Sequence, residues 1–304
     1  MQKTSILHLI TSAKNASPFD VNMAYDAGFD KIMPYTNVVL DEVVALTQDA
    51  MFSRSPSGVK REALFFGGRD IHLSLAMQDA AKNAMFTPFE MSTMADPSGA
   101  FTTAAAMLAK IDALLRLNNQ TFAQQTIAIF GASGTVGSTA ALIAATQGAN
   151  VVLVAHKDVA QMQTYADDLQ QRYGINVLVA DGTTVNAKTS LLHGATIAVC
   201  AAIAGVQVLE ATHFTQSKTL KIMADVNAVA PSGIAGLEVM NDGDFITGTG
   251  ITGLGITGIG ALAIGQLKYK TQQKLLQNML ASDVPVHLAF NNAFEVARNL
   301  LIQV

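Results

Sequence analysis

Cysteine is nearly absent from this chain. Cys200 is the only one in 304 residues. That excludes a disulfide framework and makes a reducing, cytoplasmic location the expectation. Cys200 falls in the apolar run at 195–200, the setting of an inert core thiol. Charge is also scarce, with 14% charged residues and a formal net charge of −4, so there is no basic footprint for nucleic acid. No apolar run has the length and flanks of a membrane span, and none is expected to meet a bilayer. The first ten residues lack a signal-peptide core and cleavage site. The six histidines (His8, His72, His156, His193, His213 and His287) show no ligand spacing, so no metal is expected. No G-x-S-x-G elbow offers a hydrolase nucleophile.

What is present is organised around Thr126-Ile-Ala-Ile-Phe-Gly-Ala-Ser-Gly-Thr-Val-Gly137. The apolar start reads as a buried strand, and Gly131, Gly134 and Gly137 punctuate the turn after it. The small, apolar stretch 138–147 reads as a helix, and 149–155 as a second strand. Strand, glycine turn, helix and strand together make a phosphate-binding unit, with backbone N–H groups of Gly131, Ser133, Gly134, Thr135, Val136 and Gly137 facing a pyrophosphate. The spacing is G-x-x-G-x-x-G, which also occurs in dinucleotide-binding folds.

The end of the second strand chooses the nucleotide. An NAD-preferring chain places a carboxylate there for the ribose 2′-OH. Here the strand ends Ala155-His156-Lys157. Lys157 can pair with a 2′-phosphate, and His156 can donate to it or stack near the adenine. The site therefore leans towards NADP without excluding NAD. Asp158 reads as the N-cap of the next helix.

Alternating short apolar runs and helical patterns predict an α/β fold with parallel sheets and two domains. The expected organisation is an α/β substrate domain at 1–118, a Rossmann-like NAD(P)-binding domain at 119–258, and C-terminal helices at 259–304 that return to the first domain. In the first domain the strands are expected at 5–10, 31–33, 62–66 and 89–94, with a long helix from 104 to 117. Later strands are expected at 176–179, 196–200 and 220–224. The last runs into Asp225-Val-Asn227, a candidate cofactor contact. The glycine-rich stretch 248–265 reads as a loop that re-enters a helix near Gly260, and the two closing helices, at 261–279 and 286–302, have no predicted strand partner. Polar clusters at Ser17-Pro-Phe-Asp20, Gly67-Gly-Arg-Asp70 and Asp96-Pro-Ser-Gly-Ala-Phe-Thr-Thr103 stand near strand ends. The third is the best candidate for substrate, because a structural turn does not need an Asp, a Ser and two Thr at the mouth of a long helix.

At these residues the chain resembles the NAD(P)-dependent methylenetetrahydromethanopterin dehydrogenases of methylotrophic bacteria. The strings that carry the resemblance include Ser17-Pro-Phe-Asp-Val-Asn-Met-Ala-Tyr-Asp-Ala-Gly28, Ala95-Asp-Pro-Ser-Gly-Ala-Phe-Thr-Thr-Ala104, Asp225-Val-Asn-Ala-Val229 and Gly258-Ile-Gly-Ala-Leu-Ala-Ile-Gly-Gln-Leu-Lys268. The resemblance is greatest to the branch dedicated to the methanopterin carrier, which accepts NAD and NADP. The sibling branch, which uses NADP strictly and also accepts the folate carrier, has Arg where His156 stands. The resemblance implies a homo-oligomer working in formaldehyde oxidation and one-carbon metabolism. It also implies that Phe19, Asp20, Asp96, Ser98, Phe101, Thr102, Thr103 and Lys268 face the pterin. Lys268, Asp20 and Asp96 would then position it or act electrostatically, with no acid–base residue. Hydride leaves a methylene carbon flanked by two nitrogens whose lone pairs delocalise the resulting cation, so no proton need be removed at carbon. The same chemistry on methylenetetrahydrofolate and a non-catalytic NADP sensor are the competing readings. The Tyr-x-x-x-Lys pair of folate dehydrogenases is not found in the first domain.

Overall fold

A computed structural model describes residues 3–248 and 253–302. In chain order, β1 (Ile6–Ile10), α1 (Pro18–Asp26), β2 (Lys31–Tyr35), α2 (Val43–Phe52), α3 (Pro56–Val59), β3 (Glu62–Phe66), α4 (Ile71–Ala84), β4 (Ser92–Ala95) and α5 (Ala100–Leu117) come first. Next are β5 (Thr126–Phe130), α6 (Thr135–Thr146), β6 (Asn150–Ala155), α7 (Val159–Tyr173), β7 (Leu178–Asp181), α8 (Val185–Gly194), β8 (Ile197–Cys200), α9 (Ala211–Phe214) and β9 (Ile222–Asp225). Last are β10 (Asp242–Phe245), β11 (Thr257–Ile259), α10 (Ala261–Ala281), β12 (His287–Leu288) and α11 (Phe290–Ile302). The chain forms two compact units, Met1–Thr102 with Tyr269–Val296, and Thr103–Lys268 with Ala297–Val304.

The first unit holds an all-parallel sheet in the order β12-β4-β3-β1-β2. β3 and β4 are buried at every position, the pattern of strands covered on both faces. Its helices start where the sequence supplies caps. Ser17 Oγ accepts from Asp20 N at 3.3 Å ahead of Pro18, and Asp70 accepts from His72 N and Leu73 N at 2.8 and 3.0 Å. A polar network crosses β1, β2 and β3. Glu62, 3% exposed, takes Arg54 Nε at 2.6 Å and His8 Nε2 at 3.1 Å, with Ser53 Oγ at 3.3 Å. If His8 donates to this carboxylate through Nε2, its Nδ1 is left to accept from Tyr35 Oη at 3.1 Å.

The second unit holds a sheet in the order β10-β11-β9-β8-β5-β6-β7, parallel except for antiparallel β10. Without the edge strand β10, the order is 3-2-1-4-5-6 counted from β5, the doubly wound nucleotide-binding arrangement. Strand order reverses between β5 and β8, which opens a crevice at their carboxyl ends. α7 begins at Asp158, which accepts from Ala160 N and Gln161 N at 2.8 and 3.1 Å, and ends at left-handed Gly174. β10 is tied down by Asp242, whose two oxygens receive Lys110 Nζ at 2.7 and 2.8 Å.

Several expectations change. The fourth strand starts at Ser92 rather than residue 89, because Phe89 N bonds Phe86 O in a turn. α5 starts four residues early, at Ala100, because the Asp96 carboxylate caps it. The glycine-rich stretch is not all loop. Ile256 sits beside β11, which inserts between β9 and β10, and residues 249–252 of that stretch lie outside the described residues. The region of the closing helices does contribute a strand, since β12 pairs with β4 through His287↔Thr93 and Leu288↔Met94.

A buried histidine gives the fold a pH dependence. His213 is 3% exposed, its Nδ1 accepts from Glu210 N at 3.0 Å, and Nε2 has no hydrogen-bond partner among the described residues. Burial first, and the charge of Lys188 second, hold its pKa below the ordinary 6.5. The folded state thus resists a proton that the unfolded state accepts, so stability is complete above about 6.5 and falls as the pH drops through the gap. His287 is shifted the same way, again by burial first. Chemical denaturation between about pH 7 and pH 5 should show unfolding free energy declining with acid. The slope should be shallower in His213→Asn, and an equal slope in the variant would refute the assignment.

Candidate active site

The crevice is built from glycine geometry. Gly131 follows β5 with φ +77°, and a Cβ there would lie 2.5 Å from the carbonyl of Ala201. A Cβ at Gly137 would run into Gly131 O, so α6 can pack this close to β5 only without a side chain. Gly134 is the N-cap of α6 and supplies no capping side chain. The first helical bond is Ser138 N to Gly134 O at 2.8 Å. The N–H groups of the turn before it, on Thr135, Val136 and Gly137, have no partner within the helix and favour an anion. Ser138 Oγ braces the turn by donating to Ala132 O at 2.9 Å, and Tyr165 Oη on α7 donates to Ser138 Oγ at 2.5 Å.

A cavity of about 580 Å³ opens here, lined by Gly131, Ser133, Gly134, His156 and Lys157 among others. A niche of about 160 Å³ adjoins it, bounded by Ser133, His156, Lys157, Asp158, Gln161, Met162 and Tyr165. Sequence reasoning missed Thr183, Lys188, Ile203 and Val206, which line the larger cavity. Lys188 Nζ donates to Val208 O at 2.8 Å. The available signal was position, since these residues follow β7 and β8, where open α/β sheets place their ligands.

Asp225 and Asn227 lie outside that lining. Asp225, 1% exposed, accepts from Asn227 N at 3.0 Å and Gly233 N at 2.6 Å. Burial pushes its pKa up, against those hydrogen bonds, which lower it. Asn227 Oδ1 accepts from Val229 N at 2.9 Å and Gly205 N at 3.3 Å, and its Nδ2 donates to Pro231 O at 2.9 Å. Both residues therefore shape the loops, including the one that carries Ile203 and Val206. The thiol of Cys200 is pushed up to about 12, by burial first and the Asp225 charge second, which makes it a poor nucleophile.

In the first unit the carboxyl ends of β1, β3 and β4 lie side by side, with Ile10 paired to Phe66 and Phe66 to Ala95. This aligns the loops beyond them. Ser98 sits in the left-handed region at φ 55° and donates from Oγ to Gly68 O at 2.8 Å, tying two of these loops. Asp96 is fully buried. Its Oδ1 accepts from Phe101 N and Thr102 N at 2.9 and 3.2 Å, and its Oδ2 from Thr102 Oγ1 at 2.7 Å. Phe101 is fully buried edge-on against Phe290, with ring centroids 5.6 Å apart, while Phe19 is 43% exposed. Asp20, 4% exposed, accepts from Gln272 Nε2 at 2.9 Å. Gln272 was also missed, as 252 residues separate the two. Thr103 follows Thr102 in α5, and Lys268 stands one helical turn before Gln272 on α10, partly exposed.

Residues 18–98 match the family model for the N-terminal region of methylene-tetrahydromethanopterin dehydrogenase. Over 96% of its length the chain is 42% identical to the NAD(P)-dependent methylenetetrahydromethanopterin dehydrogenase of Methylorubrum extorquens, covering 97% of that protein. The chain belongs to the methylenetetrahydromethanopterin dehydrogenase family. The bifunctional protein MdtA of the same organism is 29% identical over 80% of this chain and 83% of its own. In fold alone, the chain is similar to shikimate 5-dehydrogenase from Listeria monocytogenes, with TM-score 0.54, 15% identity, and 98% and 96% of the two chains covered. The stretch matched by the dehydrogenase family model begins at Pro18 and ends at Ser98, so it includes Phe19, Asp20, Asp96 and Ser98. No cluster of three or more metal-ligating side chains occurs among the described residues, and no described helix is long and apolar enough to cross a membrane.

Proposed function

We propose that the protein oxidises 5,10-methylenetetrahydromethanopterin to the methenyl form, passing hydride to NAD(P), within one-carbon metabolism. The observation that carries this reading is 42% identity across nearly the whole length of a dehydrogenase with that name. The crevice supports the nucleotide half. Its open helix N-terminus suits a pyrophosphate, and His156 and Lys157, with no carboxylate at the end of β6, suit NADP while tolerating NAD. NAD(P) supplies the hydride acceptor, and the chain's task is to hold and orient it.

On the pterin side Phe19 offers a ring surface and Asp20 a fixed negative charge for the developing cation. Asp96, whose oxygens are occupied by the start of α5, acts by holding Ser98, Phe101, Thr102 and Thr103 in place. Lys268 orients the carrier. No general base is required, so catalysis rests on positioning and electrostatics. The protein works in the cytoplasm as a homo-oligomer.

Purified protein should be assayed with each carrier and each nicotinamide. Reduction of NAD(P) with the methanopterin carrier, and far slower turnover with methylenetetrahydrofolate, is the expected result. Comparable kcat/KM on the folate carrier would give the activity to that substrate, and nucleotide binding without any reduction would make the protein a sensor. In Lys268→Ala, kcat/KM for the carrier should fall about a hundredfold while nucleotide affinity stays within about twofold. Normal turnover would return Lys268 to the role of a solvated helix lysine.

A further inference from the structure

Asp20 is held at its backbone and again at its side chain. Its N–H donates to Ser17 Oγ at 3.3 Å, which completes the cap of α1. Its Oδ1 then accepts from Gln272 Nε2 on α10 at 2.9 Å, with Asp20 4% and Gln272 0% exposed. A link between these two helices already exists on the exposed side of α1. There Asp26 receives Tyr269 Oη at 3.1 Å on its carboxylate and Gln273 Nε2 at 3.3 Å on its carbonyl. Burying a carboxylate is costly unless donors meet it. An arginine or lysine in the place of Gln272 would meet it with a positive charge of its own. An amide fixes the oxygen and brings no charge. Its hydrogen bond favours the ionised carboxylate, as does the dipole at the start of α1. The proposed reaction has a use for such a group, since a neutral methylene carrier becomes a methenyl cation as hydride leaves for NAD(P).

We propose that Gln272 is a positioning residue of the reaction, whose amide holds the Asp20 carboxylate in one place and ionised for the positive charge that develops on the carrier. The proposal rests on the reading of the reaction above and deepens it. Gln272 acts through Asp20 alone. The other titratable groups of the two helices stand nearer solvent: Tyr25, Asp26, Tyr269, Lys270 and Lys274 are exposed, and Lys268 is partly so. β2, which packs against α1, adds Lys31 and Tyr35, and Tyr35 Oη bonds His8 Nδ1.

The test is kcat and KM of the whole protein between about pH 5.5 and pH 9, with NADP and whichever of the two carriers it turns over. The variants are Gln272→Leu, Gln272→Glu, Asp20→Asn, and Gln272→Leu combined with Asp20→Asn. In Gln272→Leu the carboxylate loses a donor and stays buried, so its pKa rises. Its kcat should be about tenfold down near pH 7 and climb with pH as the carboxylate ionises, while KM for NADP stays within about twofold. In Gln272→Glu the two carboxyl groups share a proton at low pH and keep the bond. There kcat should be near native, and it should fall as the pH rises and the second charge repels the first. The double variant should show the profile of Asp20→Asn. Opposite pH slopes in the two Gln272 variants are what the proposal requires. Gln272→Glu keeps the native shape and decides alone if Gln272→Leu does not fold. Native profiles in the Gln272 variants would make Gln272 a link between helices and nothing more, and native kcat in Asp20→Asn would equally overturn the proposal. A native protein that turns over neither carrier would sink the reaction itself, whereas native turnover with unmoved variant profiles sinks only the role given to Gln272.

Discussion

Gly131→Ala should destabilise the protein by about 3 kcal/mol and weaken nucleotide binding about a hundredfold. Two costs combine. The residue would be held at φ +77°, where an L side chain is strained, and its Cβ would sit 2.5 Å from the Ala201 carbonyl and 2.6 Å from Ala202 N. Backbone on both sides cannot move aside as a side-chain tip could, so β5 and the loop after β8 must part, and the cavity between them loses its shape. Gly134→Ala is the control. Its backbone is at φ −77°, and its Cβ would meet Gly131 O at 3.3 Å. Its thermal midpoint should stay near that of the native protein, while nucleotide affinity falls, since the new methyl stands at the cavity wall. Thermal melts and nucleotide titrations of both variants decide the matter. Equal loss of stability in the two would show that the positive φ and the approach to Ala201 are not what the first glycine serves.

Glu62→Ala should cost about 3 kcal/mol without touching the nucleotide. The carboxylate is 3% exposed and receives Arg54, His8 and Ser53. Its removal leaves the Arg54 guanidinium with its bond to Thr4 O at 2.7 Å but without the Glu62 charge, and leaves His8 Nε2 without this acceptor. Glu62→Gln keeps the shape and an acceptor oxygen and should recover part of the loss. The readout is the urea midpoint of each variant together with its affinity for NADP. A drop below about 1 kcal/mol for Glu62→Ala would mean that water replaces the carboxylate at no great cost.

Legibility in the sequence followed locality. The unit from β5 to β6 was readable nearly to the residue, because a buried strand, a glycine turn and a helix of small residues are each encoded within a few positions. The caps at Ser17 and Asp158 were readable for the same reason. β10 was not, since Asp242-Gly-Asp-Phe245 is a polar, largely exposed edge strand held by Lys110 from a distant helix. β11 hid among glycines, and β12 is too short to carry a periodicity. In the candidate site, local reading found the strand-end loops but not what each side chain does there. Asp96 and Phe101 have the residue types expected to face a pterin, yet the first caps α5 and the second is buried against Phe290. Gln272 reaches Asp20 across 252 positions, and no spacing rule spans that distance.

The pairing of β12 with β4 carries a consequence for synthesis. A ribosome delivers β4 early, but the strand that covers its outer edge, and the Leu288 carbonyl that receives Gln78 Nε2, are made almost two hundred residues later. Through most of translation the first sheet therefore has an open edge at Thr93 and Met94, a surface able to pair with another chain. The second sheet, by contrast, can close from one continuous stretch. The nascent chain should thus complete its later sheet first, and need protection from association at its earlier one until residues 287 and 288 emerge.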